Sequence, residues 1–337
     1  MACRCTSCDP PLRETYETLF RNRKDDRDLS PILFAVDECE LPLIDLSGLN
    51  GGTKERMDCR TEIARASREW GFFQAVNHGI SREILEEMRK EQVKLFEQPF
   101  EKKAKEAENL KFSAGSYQWG TPSATCLQQL SWSEAFHVPL TDICSGSKGR
   151  DTLSSIMELF AVTVSDLAHK IAEVLAEELG HPPTFFLENC LPSTCYLRMN
   201  RYPSCPMPSD VFGLMPHTDS DFLTILHQDE VGGLQLVKDG KWISVKPNPD
   251  ALIINIGDLF QAWSNNVYKS IEHRVVTNPE VERFSTAFFL CPSYDTVITS
   301  CCQGGAYRDF SFGEYRKQVR RDVKDFGHKI GLPRFLL

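Results

Sequence analysis

The spacing of apolar positions changes once along the chain. In the first half they recur at helical intervals. Over 53–70, Met57, Ile63, Ala64 and Ala66 predict a helix with one buried face, stopped by Gly71. Ser81 reads as the N-cap of a second helix, with Glu83 in its first turn and Ile84, Leu85, Met88, Val93, Leu95 and Phe96 on its apolar side. Over 155–179, Ile156, Leu159, Phe160, Val164, Leu167, Ile171, Val174 and Leu175 predict the longest helix, ended by Gly180 and Pro182-Pro183. Two strands interrupt this half, over 41–46 and 72–76, the second followed by an Asn77-His78-Gly79 turn. The charged stretch 101–108 reads as a solvated helical turn or two, 131–138 as a loop and then a strand, and 142–149 as a surface loop.

From Cys195 the apolar runs shorten. Strands are predicted at 195–199, 211–215, 222–227, 233–237, 242–245, 251–256, 271–276 and 284–290, punctuated by Gly232-Gly233, Asp239-Gly240 and Asn265-Asn266. A helix over 317–326 follows. Short strands at this spacing point to a closed or two-sheet structure such as a jelly roll. The chain therefore reads as one α+β unit with a mainly β core. A variable tail fills 1–40, a mostly helical region 41–190, and the β core with its C-terminal helix 191–337.

Composition narrows the function. The 337 residues are 41% hydrophobic, ample for a large core, and the net charge of −9 with no basic stripe disfavours nucleic acid. No apolar run approaches the roughly 18 residues of a membrane span, and the N-terminus lacks the apolar stretch of a signal peptide. The 13 cysteines are odd in number and scattered, which fits a reducing compartment, so the expected location is cytoplasmic. Cys3, Cys5 and Cys8 lack a second cluster beyond Cys39. They read as free thiols of the tail, as do Cys301 and Cys302 in a Gly-flanked loop.

The chemistry starts at Pro216-His217-Thr218-Asp219-Ser220-Asp221, before the apolar run 222–226. In an extended segment His217 and Asp219 face one side, where both can meet a metal. A third ligand is needed. His227, at the end of the next strand, reads as surface, and His328 lies in a polar tail. His273 opens an apolar strand and suits the role. Two histidines and a carboxylate make the facial triad of non-haem Fe(II) oxygenases, and a zinc site is the rival. Arg283 and Ser285 separate the two. They share one face of a strand, a short hairpin after His273, and supply a guanidinium fork and a hydroxyl for a carboxylate. A metal beside a carboxylate clamp suits a chelating co-substrate with a remote carboxylate.

These residues carry a resemblance. Leu43-Ile44-Asp45-Leu46, Trp70-Gly71-Phe72-Phe73, Val76-Asn77-His78-Gly79, Asn200-Arg201-Tyr202-Pro203, His217-Thr218-Asp219, Asn255-Ile256-Gly257-Asp258, His273-Arg274-Val275 and Arg283-Phe284-Ser285 together resemble plant 2-oxoglutarate- and Fe(II)-dependent dioxygenases. Within these, Trp119-Gly120-Thr121-Pro122-Ser123-Ala124-Thr125 and Ser131 to His137 are similar to gibberellin 2-oxidases of the C20-gibberellin type. The resemblance implies a distorted double-stranded β-helix (jelly roll) with flanking helices. It implies Fe(II) held by His217, Asp219 and His273. It implies 2-oxoglutarate held by Arg283 and Ser285, with Tyr202 and Asn200 beside it, together with O2 and support from ascorbate. The implied reaction is C2 hydroxylation, an inactivation, of a small diterpenoid, with no nucleic acid, membrane or obligate protein partner. Tyr117, Trp119, Trp132, Phe136 and Phe289 are the expected pocket lining, and Lys111, Arg201 or Arg274 the contact for a substrate carboxylate. His78 and His137 are expected to be structural. Oxidation at another gibberellin position, a flavonoid-type substrate, and a non-catalytic binding protein remain open.

Overall fold

The computed structural model describes residues 8–21, 36–105, 112, 115–144, 151–208, 210–302 and 304–337. Cys3, Cys5, Lys111 and the end of the loop expected over 142–149 lie outside them.

The N-terminal half supplies helices and five strands at the sheet edges. It runs α1 (Leu12–Thr15), α2 (Glu17–Arg21), β1 (Glu38–Cys39), β2 (Leu43–Asp45), α3 (Thr53–Glu69), β3 (Phe72–Val76), α4 (Arg82–Phe96), α5 (Phe100–Lys105), β4 (Tyr117–Trp119), β5 (Glu134–Pro139), α6 (Leu140–Cys144), α7 (Thr152–Glu177) and α8 (Thr184–Asn189). The Ser81 hydroxyl caps α4 by accepting from the Ile84 amide, and the Asp151 carboxylate caps α7 through the Ser154 amide. Helix α6 occupies the start of the expected surface loop, because Leu140 and Ile143 turn into the core.

The second half holds the strands β6 (Tyr196–Tyr202), β7 (Phe212–His217), β8 (Leu223–Gln228), β9 (Leu234–Lys238), β10 (Lys241–Val245), β11 (Leu252–Ile256), β12 (His273–Val276) and β13 (Arg283–Leu290). Helix α9 (Asp258–Trp263) lies between β11 and β12. After β13 come β14 (Val297–Ile298), β15 (Phe310–Ser311) and α10 (Phe312–Phe326). The strands form two layers. One sheet runs β1-β10-β9-β12-β7, the other β2-β3-β11-β8-β13-β6-β5-β4. The central strands of each layer pair antiparallel, and from β6 to β13 all connections but one cross between the sheets, as in a jelly roll. The exception is the β9–β10 hairpin. Lys238 pairs with Lys241 across Asp239-Gly240, whose φ values of 50° and 76° are those of a type I′ turn.

Two expectations change here. Residues β12 and β13 are not a hairpin: they lie in opposite sheets, so Arg283 faces His273 across the sandwich rather than along one sheet. Residues 8–21 are docked rather than a free tail, because Leu12 and Tyr16 pack with Leu127, Leu130 and Trp132 in a small core of their own.

Helix α7 is the main support of the larger sheet. It packs on β8 and β13 on one side and on α3 and α4 on another. Ile63, Phe96, Ile171 and Phe288 share one hydrophobic cluster, so helices and sheet are welded by a common core. The charged α5 departs from the solvated reading. It turns Lys103 inward, where the side chain is 0% exposed. The ammonium donates to Glu134 Oε2 (2.6 Å), Phe96 O (2.8 Å) and Cys8 O (2.9 Å). All three donors are satisfied, which is what lets a lysine be buried.

Candidate active site

The two histidines meet by register. His273 at the start of β12 is the direct cross-strand partner of His217 at the end of β7, and their ring centroids are 4.3 Å apart. Asp219 follows β7 immediately. Its Oδ1 lies 3.7 Å from His217 Nε2 and 3.8 Å from His273 Nε2. The three ligand atoms lie within 4.8 Å of one another, and both Asp219 and His273 are 8% exposed.

Each ligand atom is aimed by a bond to the opposite atom of its group. His217 Nδ1 is 2.7 Å from Met215 O and His273 Nδ1 is 3.1 Å from Ile271 O. A carbonyl can only accept, so the proton sits on each Nδ1 and each Nε2 keeps its lone pair for the gap. Asp219 Oδ2 accepts from Thr224 Oγ1 (2.6 Å) and Asn255 Nδ2 (2.7 Å), which leaves Oδ1 facing the imidazoles. Burial, reinforced by His273, pushes the His217 pKa down to about 3, so the ring is neutral. Burial alone would raise Asp219. The positive charge that His273 and His217 carry when protonated, with the Thr224 and Asn255 bonds, outweighs it and holds the carboxylate below its ordinary range. Asp221 goes the other way: burial and the Asp219 charge push its pKa well up, with the Thr224 hydroxyl 3.2 Å away.

Across the cavity stand β13 and β6, with Arg283 paired to Tyr202 and Ser285 to Asn200. Arg283 is 3% exposed, so its guanidinium is enclosed in the cavity wall. Its Nη2 donates to Gln228 Oε1 at 2.7 Å, while Nε, Nη1 and Gln228 Nε2 have no partner among the described residues. The guanidinium carbon sits 5.0 Å over the Tyr202 ring. A Cβ on Gly213 would come within 2.8 Å of that ring, so glycine is needed for the ring to lie there. A buried fork with two open donors is costly unless an anion fills it. Asn200 Nδ2 reaches Ser285 Oγ at 3.4 Å and so braces the hydroxyl.

The cavity between these walls has a volume of about 360 Å³. It contains His217, Asp219, His273, Arg283, Ser285, Asn200 and Tyr202 together. Of the expected lining aromatics only Phe289 is there, stacked on Tyr196 at 4.5 Å. Tyr117 and Trp119 line a separate groove with Tyr16 at the far sheet edge. Trp132 belongs to the small N-terminal core, and Phe136 is in the main core. Arg201 is not free to bind substrate: it pairs with Glu134 (2.6 Å), Asp9 (2.7 Å) and Glu282 (2.8 Å). Arg274 is spent on Gln235 (2.8 Å) and lies 4.0 Å over Trp242. The basic groups that do line the cavity are Arg198 on β6, Arg316 and Arg320 on α10, and Lys329.

Other histidines fall away from the metal gap. His137 stacks on Tyr196 at 3.9 Å, with its pKa pushed down to about 4 by burial, Arg198 and Arg316. His227 is half-buried rather than on the surface, and burial with Arg89 and His78 pushes it to about 4. His78 accepts from the Ile80 amide in its turn. Asp258 anchors the region: Thr218, Ser270 and Tyr315 donate hydroxyls to it, Lys329 Nζ lies 2.6 Å away, and its own amide donates to Asp219 O.

A site of two imidazoles and one carboxylate, facing a buried arginine across a jelly-roll cavity, is the arrangement of an Fe(II)- and 2-oxoglutarate-dependent oxygenase. The chain belongs to the 2OG-Fe(II) oxygenase superfamily, whose model matches residues 193–292; the model described as non-haem dioxygenase in morphine synthesis N-terminal matches residues 41–145. Among relatives it is similar to gibberellin 2-beta-dioxygenase 8 of Arabidopsis thaliana, 64% identical over 97% of this chain and 98% of that one. It is similar to gibberellin 2-beta-dioxygenase 6 of Oryza sativa subsp. japonica, 51% identical over 97% and 96%. Gibberellin 20 oxidase 1 of Arabidopsis thaliana is 36% identical over 78% of this chain and 73% of that one. Among solved structures, JOX2 in complex with 2OG, Fe and JA superposes with a TM-score of 0.73 at 30% identity, covering 94% of this chain and 97% of that one.

Proposed function

We propose that this chain is a gibberellin 2-beta-dioxygenase that hydroxylates C20 gibberellins at C2, inactivating them. The observation that carries the reading is the open Arg283 fork facing the His217–Asp219–His273 gap within one cavity. Full-length likeness to gibberellin 2-beta-dioxygenases supports the substrate class.

In this reading His217 Nε2, His273 Nε2 and Asp219 Oδ1 hold Fe(II). Arg283 and Ser285 hold the distal carboxylate of 2-oxoglutarate, with Tyr202 and Asn200 alongside. The donors fit both groups: three N/O ligand atoms on one side leave coordination positions open, and the unpaired guanidinium donors match a carboxylate fork. Bound iron, 2-oxoglutarate and O2 supply C–H hydroxylation with succinate and carbon dioxide as co-products; ascorbate keeps the metal reduced. The chain's own work is orientation and exclusion of water. Met215 O and Ile271 O fix the ring planes, and Thr224 and Asn255 fix the carboxylate. Tyr196, Leu214, Leu226, Ala287 and Phe289 give the diterpenoid skeleton an apolar wall. Arg198, Arg316 and Arg320 take its carboxylate and so set which carbon faces the metal. Helices and sheet act as one folded unit, in the cytoplasm, without an obligate protein partner or nucleic acid.

The test is anaerobic reconstitution with Fe(II) and 2-oxoglutarate, then oxygen and a panel of C20 and C19 gibberellins, read by mass spectrometry. One oxygen gained at C2 of C20 substrates, with matched succinate, is the expected result. Oxidation at C3 or C20 overturns the position. Absence of product from every gibberellin overturns the substrate class in favour of another metabolite such as a flavonoid.

A further inference from the structure

Away from the cavity, one other group of described side chains brings metal-ligating atoms together. His181 stands in the turn after α7, and Cys301 and Cys302 in the loop after β14. Their ligand atoms all lie within 4.8 Å of one another. Nothing in the oxygenase reaction uses them. We propose that His181, Cys301 and Cys302 form a second metal site, for one zinc-class ion.

The donor set points to zinc. One imidazole and two thiols are the nitrogen and sulfur ligands that zinc favours over the oxygen ligands of magnesium or calcium. The spacing agrees. Cys301 Sγ and Cys302 Sγ are 3.6 Å apart. Two zinc–sulfur bonds of about 2.3 Å at a tetrahedral angle put the sulfurs about 3.8 Å apart. Adjacent residues of an extended chain point to opposite faces, so this convergence needs a cause. The loop supplies one. Ser300 Oγ accepts from the Cys302 amide (3.2 Å) and donates to Cys302 O (3.0 Å), folding the backbone back on itself. The Cys301 amide donates to Trp263 O at 2.8 Å.

Trp263 also positions the third ligand. The His181 ring stands edge-on to the Trp263 ring, 5.6 Å between centroids. Both arms of the site are therefore referred to one rigid residue at the end of α9. Cys302 is exposed, and Cys301 and His181 are half-buried, so a cation has an entry path and a fourth position open to solvent. Binding breaks two S–H bonds and forms two metal–sulfur bonds, and the two protons leave to solvent. The ion ties the end of the long helix α7 to the loop that crosses α9.

Cobalt(II) titration of the full-length, metal-free protein tests this by absorption. Cobalt at His217, Asp219 and His273 meets only nitrogen and oxygen and gives no thiolate-to-cobalt charge-transfer band. The expected result is such a band, saturating by two equivalents in the wild-type protein, where both sites take cobalt, and abolished by added zinc. Cys302→Ser, at an exposed position, removes it, as does His181→Ala, while His217→Ala leaves it intact. Circular dichroism of each variant shows that the fold is retained. Absence of the band in the wild-type protein overturns the proposal. So does a band that survives Cys302→Ser, which would put the thiolates elsewhere among the cysteines.

Discussion

Lys329 is expected to position the proposed iron ligands although it is not one of them. Its Nζ lies 2.6 Å from Asp258 Oδ2 and donates to Thr218 O (2.8 Å) and Ser220 Oγ (2.9 Å). Thr218 and Ser220 flank Asp219, so one ammonium from the C-terminal segment clamps the loop that carries this carboxylate. Lys329→Met keeps the stem and removes the clamp. Breaking a buried pair by deleting one partner costs about 3–5 kcal/mol. Asp258 keeps three hydroxyl donors, from Thr218, Ser270 and Tyr315, so the lower end applies, about 3 kcal/mol.

The effect on the metal is separate from that on stability. Loss of an outer partner of a metal ligand typically weakens binding about 10–100-fold. The assay is therefore a pair: thermal unfolding of the metal-free protein, and anaerobic Fe(II) or Co(II) titration. Lys329→Met should lower Tm and weaken metal binding by at least about tenfold, with Lys329→Arg recovering part of both. A Lys329→Met, Asp258→Asn double variant should lose less stability than the two single changes added together, because the two groups interact. A lowered Tm with unchanged metal affinity would refute the reasoning: the lysine would then fasten the C-terminus without positioning Asp219.

Arg283→Lys keeps the charge and loses the fork. Hydrogen bonds to charged groups contribute about 1.5–3 kcal/mol, so KM for 2-oxoglutarate should rise roughly 10–100-fold with metal affinity unchanged, by steady-state kinetics and titration. Arg316→Gln with Arg320→Gln should raise KM for the gibberellin and leave KM for 2-oxoglutarate unchanged; equal effects on both would show that the arginines act only through the fold. Glu134→Ala should destabilise more than Lys103→Met in denaturant unfolding, because Glu134 serves Lys103, Arg201 and Tyr117 at once. His227 has a folded pKa of about 4 against an ordinary 6.5, so the unfolded chain binds the extra proton in that window. Stability present above pH 6.5 is therefore lost as pH falls towards 4, up to about 3 kcal/mol, and His227→Gln should flatten that part of the Tm–pH curve.

Much of this architecture is legible in the chain because local pattern and tertiary role agree. The strands β6 to β13 read correctly since each alternates or runs apolar between turn residues, and Asp239-Gly240 encodes its own hairpin. The His217–Asp219–His273 group reads from residue type, and what completes it is strand register, which pairs His217 with His273. The misreadings have a common cause. An interval in sequence does not say whether the chain stays in one sheet, so β12 and β13 looked like a hairpin. A Gly-bounded aromatic loop says that Tyr117 and Trp119 are near a surface, not which cavity they line. Lys103 sits in a charged run and is buried only because Glu134, from a strand far along the chain, meets it.

The basic wall of the cavity is the instructive case. Arg316 precedes the helix start expected at 317, yet Ser311 caps α10 through the Glu314 amide, a Ser-x-x-Glu signal present in the sequence. With the helix begun at Phe312, Arg316 and Arg320 fall four residues apart and share a face. That much was readable. That this face lines the cavity together with Arg198 was not, since it depends on Tyr315 being held by Asp258 and on Lys329 returning to the same carboxylate. Asp258 therefore joins two jobs. Its amide and its lysine partner hold the loop that carries Asp219, and its tyrosine partner holds the helix that carries the cavity-lining Arg316 and Arg320. A change there should shift metal affinity and substrate KM together, whereas a change at Arg316 should move only the second.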